Sequence, residues 1–268
     1  MGTGPGRATR VVIIDGKTRA ELFSIDPFEA SFKGGVYVAT GDINGDGIPD
    51  LAISPDEGGG PRCRVFNGIN FDQIADFFGI DDPNFRGGAR ASIGDLNGDG
   101  RGDLLIVAGF GGGPRVACFD GAQFGPNGGP KLFNDFFAFE QTLRNGIFVA
   151  AGDVNGDGFA DLIAGGGPGG GPRVTIFDGR LLQADLNAGI NNPISNFFGG
   201  NENSRGGIRL AVKNLDNDNR ADLIVGSGTG AGSLVTAYLG KNIASTGTPP
   251  ATLNFDGFNN FTGGVFVG

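Results

Sequence analysis

Gly41–Asp50 reads GDINGDGIPD, and the stretch returns as GDLNGDGRGD at 94–103, GDVNGDGFAD at 152–161 and, degraded, KNLDNDNRAD at 213–222. Each is followed at once by a short apolar run: LAIS, LLIV, LIAG or LIVG. Counted from its first Asp or Asn, the loop has the form D-x-N-x-D-G-x-x-D, which sets carboxylate and amide oxygens at alternate positions of a tight turn. Hard cations such as Ca²⁺ take roughly six to eight oxygens, drawn from carboxylates, amides and backbone carbonyls. The spacing predicts about four Ca²⁺ per chain, one in each repeat.

The first loop positions, Asp42, Asp95, Asp153 and Asn214, are separated by 53, 58 and 61 residues. Self-similarity at a near-constant period marks a repeat architecture. GGVYVATGD, GGARASIGD, GIFVAAGD and GGIRLAVKN precede the four loops. After each apolar run come a glycine-rich bend and a second alternating run: PRCRVFNG, PRVACFDG, PRVTIFDG and SLVTAYLG. Three repeats then end in a Phe pair (ADFFGI, NDFFAF, SNFFGG), whereas the fourth keeps single Phe residues in LNFDGFNNF. Each repeat therefore reads as four short strands, A before the loop, B after it, then C and D, with Gly, Pro, Asn and Asp between them. The 54 glycines disfavour any long helix. Four-stranded units at this period predict an all-β propeller with five blades of antiparallel sheet in one domain, 1–268. The complete repeats span about 34–86, 87–145, 146–205 and 206–262.

The ends of the chain supply the fifth blade. GTGPGRATRVVIIDG at 2–16 aligns without gaps onto GGPGGGPRVTIFDG at 166–179 over their shared length, and ELFSIDPF serves as the next strand D. GGVFVG at 263–268 matches GGVYVA, a strand A without its loop. The expectation is a closing blade built from 2–33 plus 263–268 and lacking strand B, for a total of 19 strands. Either the chain is a piece of a longer array, or the ring closes with a three-stranded blade.

The net charge of −9 has a local origin: twelve of the 29 acidic residues are Asp in the four loops. Four Ca²⁺ would bring it to −1, and no net basic balance argues for nucleic acid. No stretch approaches the roughly 20 apolar residues of a membrane-spanning helix, and MGTGPGRATR is no signal peptide. Cys63 and Cys118 fall on strands C of adjacent blades, too far apart for a disulfide, and are expected as buried thiols. The absence of histidine removes the commonest general base and most Ser-His-Asp or zinc chemistry, so a non-enzymatic chain is expected. The paired Phe residues are expected in the core between blades.

The pattern G-D-x-N-G-D-G-x-x-D-L-x-x-G, with a G-x-V strand before it and a V-x-x-F-x-G strand after its bend, resembles the FG-GAP repeat and the related VCBS repeats of large secreted or surface bacterial proteins. FG-GAP repeats build the calcium-binding propeller of integrin alpha subunits. The resemblance covers the whole chain, although five blades are read here against seven there, and no clear FG dipeptide precedes the loops. It implies an extracellular or cell-surface location, calcium in the loops, and a binding or adhesion role. It further implies side-chain ligands at loop positions 1, 3, 5 and 9 and a backbone carbonyl at position 7. These are Asp42, Asn44, Asp46, Ile48 (carbonyl) and Asp50; Asp95, Asn97, Asp99, Arg101 (carbonyl) and Asp103; and Asp153, Asn155, Asp157, Phe159 (carbonyl) and Asp161. The last loop would use Asn214, Asp216, Asp218, Arg220 (carbonyl) and Asp222.

Other readings of the loops fare less well. An EF-hand needs a bidentate Glu at position 12 between helices, where this chain has Ile53, Ile106, Ala164 and Val225. A dockerin uses a similar loop on helices, usually as one duplicated pair. An Asx-rich turn without metal remains open. Arg101-Gly102-Asp103 spells a cell-attachment tripeptide, but its Asp would be a loop ligand. The sequence thus predicts a calcium-stabilised extracellular module for structure, protein interaction or adhesion, part of a larger surface protein, with a protein or glycan partner and no membrane insertion. A lectin-like propeller is the alternative, weakened by the absence of Trp and the presence of only two Tyr, and a third is an accessory domain of a secreted enzyme.

Overall fold

The computed structural model describes residues 1–268. A two-stranded sheet, β1 (Val11–Ile14) and β2 (Glu21–Ile25), is followed by four antiparallel four-stranded sheets. These are β3–β6 (Val36–Gly41, Asp50–Pro55, Arg62–Phe66, Gln73–Phe78) and β7–β10 (Ala89–Gly94, Asp103–Ala108, Arg115–Phe119, Phe136–Phe137). Then come β11–β14 (Ile147–Gly152, Asp161–Gly166, Arg173–Phe177, Ser195–Phe198) and β15–β18 (Ile208–Lys213, Asp222–Ser227, Leu234–Tyr238, Leu253–Asp256). Strands pair in chain order within each sheet, so each of the four-stranded blades is an A–B–C–D meander. The fold is an all-β propeller.

Strands β4, β8 and β12 are buried at every residue. That explains why the B strands read as unbroken apolar runs: neighbouring blades cover both faces, and alternation has no solvent side to serve. The C and D strands make the inter-blade core through aromatic pairs. Phe77 packs edge-on against Phe119, Phe136 against Phe177, and Phe197 against Tyr238, with centroids 5.1, 5.4 and 5.3 Å apart. Such pairs contribute about 0.5–1.5 kcal/mol beyond the area they bury. Only the first Phe of each pair behaves as expected. Phe78, Phe137 and Phe198 are exposed, because successive strand residues face opposite ways.

Blades also meet backbone to backbone where the glycine before each strand A takes a positive φ. Gly88, Gly146 and Gly207 have φ of 72°, 62° and 69°, and donate to Gly59, Gly112 and Gly170 of the preceding blade at 3.0, 3.1 and 3.1 Å. A Cβ on these glycines would lie 2.3–2.5 Å from a carbonyl oxygen.

Two helices interrupt the all-strand reading: α1 (Gly179–Ala184) and α2 (Leu186–Asn191) join β13 to β14. Asp178 and Asp185 cap them by accepting from the N–H groups of Leu181 and Ala188. At six residues each they are too short to display a helical period, but they insert the fully buried Leu182 into the core.

At the axis, the same register position of each A segment contributes one side chain: Tyr37, Arg90, Phe148, Arg209 and Phe266. Arg90 lies 5.2 Å from the Tyr37 ring centroid and 3.8 Å from that of Phe148; Arg209 lies 4.5 Å from Phe148 and 4.9 Å from Phe266. Tyr37, Phe148 and Phe266 also approach one another at 6.2–6.3 Å. Two cations thus alternate with three rings.

The closing blade departs from expectation. Met1–Thr3 lies where strand B lies in other blades: Gly2 bridges Val11 as Gly165 pairs with Val174. Val12 N–H donates to Met1 O at 2.8 Å, and Thr3 N–H to Arg10 O at 2.9 Å. Val265 N–H donates to Ser227 O at 2.9 Å, just as Val36 N–H donates to Thr3 O at 3.0 Å on the next blade. However, 264–268 forms no hydrogen bond with Met1–Thr3, so it is an extended segment and not a strand. The structure has 18 strands, and its fifth sheet has two. The physical reason is ladder length: the three-residue stub is bonded to β1 and presents no matching edge to the last segment. Four hydrophobic clusters fill four inter-blade spaces. At the fifth, Leu253 and Phe255 on β18 and Ile14 on β1 stay exposed. Closure therefore runs through the axial side chains. Deleting residues 264–268 is expected to cost about 1–2 kcal/mol through the lost aromatic and cation–π contacts; urea unfolding with an unchanged midpoint would refute the axial closure.

Candidate metal centre

Each A–B hairpin ends in the pair Gly41–Asp50, Gly94–Asp103, Gly152–Asp161 or Lys213–Asp222, so position 9 is the first residue of strand B. In the first loop the position 1 carboxylate turns inward: Asp42 Oδ1 accepts from the N–H of Gly45 and Asp46 at 2.7 and 3.1 Å, and Oδ2 accepts from Gly47 at 2.7 Å. Asp95 and Asp153 repeat this arrangement. Position 3 accepts from the N–H of position 5: Asn44, Asn97 and Asn155 from Asp46, Asp99 and Asp157, each at 2.9 Å. Position 5 accepts in turn from the N–H of position 7, at Ile48, Arg101 and Phe159. The glycines at positions 4 and 6 all have positive φ, between 75° and 88°, which side-chain-bearing residues resist.

Position 9 plays a part that the sequence pattern did not reveal. Asp50, Asp103, Asp161 and Asp222 are completely buried. One oxygen accepts from the N–H of position 2 (Ile43, Leu96, Val154 and Leu215) at 3.0, 2.8, 2.9 and 2.6 Å. The other accepts from the N–H of Gly68, Gly121, Gly179 and Gly240 after strand C, at 2.9, 3.0, 3.2 and 2.8 Å. One carboxylate therefore staples the A–B loop to the C–D loop. Burial raises the Asp50 carboxyl and pushes those of Asp103 and Asp161 up to about 7, against the opposing pull of these N–H donors. The signal available in the sequence was the invariant N-G, D-G or L-G dipeptide ending each strand C run.

The loops are also joined across blades. Gly102 N–H donates to Asp42 O, Ala160 N–H to Asp95 O, and Ala221 N–H to Asp153 O, at 2.6, 2.7 and 2.6 Å. The four loops form a continuous arc at one end of the propeller.

No group of three or more acidic side chains is disposed in this geometry to hold a metal ion. The donor set of each loop nevertheless consists of hard oxygens only, and a carboxylate oxygen accepting one N–H bond, such as Asp42 Oδ2, retains a lone pair for a cation. The residues fit calcium chemically.

The FG-GAP repeat family matches residues 34–62 and 145–177, each stretch running from before strand A through the loop and strand B. Two stretches of this chain are thus FG-GAP repeats. It is 28% identical over 185 residues to integrin alpha-V of Gallus gallus, across 61% of this chain and 18% of that protein. It is also 28% identical over 174 residues to integrin alpha-5 of Xenopus laevis, across 58% of this chain and 17% of that protein. The aligned part is under a fifth of the length of either relative. Among solved structures, a protein of unknown function from Bacteroides caccae superposes with a TM-score of 0.51 at 11% identity, over 96% of this chain and 72% of that one. At that identity the likeness bears on the fold alone.

The fourth loop is built differently. Asn214 cannot gather the loop N–H groups as an aspartate does, and its Nδ2 donates to Asp218 O. Asn217 takes the left-handed conformation at φ 61°, but Asn219 does not follow. Asp216 is paired with Lys241 at 2.5 Å, which holds its carboxyl below the ordinary range.

Asp103 of the Arg-Gly-Asp tripeptide is completely buried, so this sequence cannot be displayed to a receptor. Cys63 and Cys118 are free, buried thiols, and burial pushes Cys63 up to about 12.

Proposed function

We propose that this FG-GAP propeller is a calcium-stabilised, non-enzymatic scaffold of an extracellular or cell-surface protein, offering its blade faces for protein interaction or adhesion. The observation that carries the reading is the recurrence of one oxygen-lined loop at the A–B turn of four successive blades, joined into an arc. Asp42, Asn44, Asp46 and Asp50, with the Ile48 carbonyl, would hold the first ion, and the equivalent residues the others. The ion would neutralise carboxylates that otherwise repel one another, and pin strand A to strand B. Since position 1 of one loop is bonded to the next loop, each ion would also stiffen the neighbouring blade. The integrin relatives support an extracellular setting, and the absence of histidine supports a role without catalysis.

Calorimetric titration of the chelator-stripped chain with Ca²⁺ tests this. About four ions should bind, the fourth loop filling last, since Lys241 occupies Asp216 and Asn214 replaces a carboxylate. In an Asp218→Ala variant the weakest binding step should vanish and the other three should persist. Loss of a tight step instead would overturn the ranking, and no calcium uptake would remove the proposal.

A further inference from the structure

A cavity of about 550 Å³ opens on the propeller axis beside the alternating ring of cations and aromatics. Arg90 and Arg209 line it while only 4% and 7% exposed. Each guanidinium donates from Nη1 to a backbone carbonyl, Arg90 to Ile147 O at 2.7 Å and Arg209 to Gly206 O at 3.1 Å, and Arg90 also interacts with the Tyr37 hydroxyl. The buried Nε of both has no partner. Neither forms an ion pair, whereas the half-buried Arg62, Arg64, Arg115 and Arg173 do. Both lie against the Phe148 ring, so two like charges are held close together in a largely desolvated place. Burial is the main cause holding the Arg209 guanidinium below its ordinary value; Tyr37 opposes it, the Arg90 charge acts in the same direction as burial, and Asp56 opposes it more weakly. Cation–π contacts offset part of this cost, but a ring face is only a weak acceptor for the free N–H donors.

The other charged and polar groups facing the cavity do not resolve the imbalance. Asp56 lines it, yet its Oδ1 accepts from the Glu57 N–H and it pairs with neither arginine. Tyr37 contributes a hydroxyl whose ionisation burial disfavours. The remaining wall is mainly apolar, including Val36, Val149 and Leu210. A cavity of this size with aromatic walls and a few convergent donors has the character of a small-molecule site.

We infer that the axial cavity is a binding site for a small organic carboxylate, its oxygens bonded to the free guanidinium donors of Arg90 and Arg209 and its apolar body laid among the axial rings. Guanidinium and carboxylate match in plane and charge, and the bound anion would supply the partner that both arginines lack. The site is separate from the metal loops and does not depend on the calcium reading.

Benzoate is a suitable probe, with its neutral isostere benzamide as the control, added to the full chain at constant ionic strength in calcium-containing buffer. Isothermal titration should show saturable benzoate binding at least tenfold tighter than benzamide, and Arg90→Met and Arg209→Met should each weaken benzoate at least tenfold. ¹⁵N spectra of the arginine Nε–H groups give a readout without variants: two resonances, those of Arg90 and Arg209, should move with benzoate and stay still with an equal concentration of chloride. Equal affinity for benzamide, binding unaltered in both variants, or arginine resonances indifferent to benzoate would each overturn the inference.

Discussion

Stripping calcium with EDTA is expected to produce the largest change in stability available to this protein. A ligand held at a free concentration about 100 times its Kd stabilises the folded state by about 2.7 kcal/mol. Loops binding near 10 µM would reach that ratio at roughly 1 mM calcium, a tighter affinity than the 10⁻⁴–10⁻³ M common for extracellular modules. Three strong loops would then contribute about 8 kcal/mol, comparable with the entire stability of an ordinary domain, about 5–15 kcal/mol. Unfolding followed by circular dichroism should therefore show the melting temperature falling by well over ten degrees in EDTA and returning on addition of excess Ca²⁺. Mg²⁺ should restore little, because it demands a smaller octahedral shell. Coincident melting curves in calcium and in EDTA would sink the structural-calcium reading.

Asp161→Ala is expected to destabilise the fold by about 3–5 kcal/mol even with no calcium present. The buried carboxylate accepts from Val154, Asn155 and Gly179 N–H groups at 2.9, 3.2 and 3.2 Å. Truncation leaves those donors without an acceptor inside the blade, at about 1–3 kcal/mol for each buried group left unpaired. Asp161→Asn keeps one oxygen acceptor and should lose less in EDTA, while losing most of the additional stabilisation that calcium confers on the wild type. Urea denaturation of both variants, with and without Ca²⁺, separates the two roles of the residue. If Asp161→Ala matched the wild type in EDTA, the staple would be of no consequence and position 9 would serve only as a ligand.

How the loops are joined could not be read one loop at a time. The D-x-N-x-D-G-x-x-D spacing located four turns entering strands, because a tight turn with glycine at two left-handed positions leaves a local signature. The second function of position 9 left only the recurring glycine after strand C, since its partners there, such as Gly68 and Gly179, lie 18 residues away. The fourth loop was legible as the divergent one from its Asn substitutions, but the Lys241 pairing with Asp216 spans 25 residues and needed the folded chain.

By itself the sequence determined the repeat, the all-β class, the four-strand unit and the apolar run after each loop. All of these follow from local periodicity and from turn residues that act over a few positions. The tertiary structure decided what depends on bringing blades together. It placed Tyr37, Arg90, Phe148, Arg209 and Phe266 around one axis, turned one Phe of each pair inward and the other out, and buried the Arg-Gly-Asp aspartate. It also decided that 264–268 meets the first blade through side chains without becoming a strand. A strand must find a ladder of hydrogen bonds on a neighbouring edge, and whether the two ends of the chain provide one is a property of the closed geometry, not of either segment.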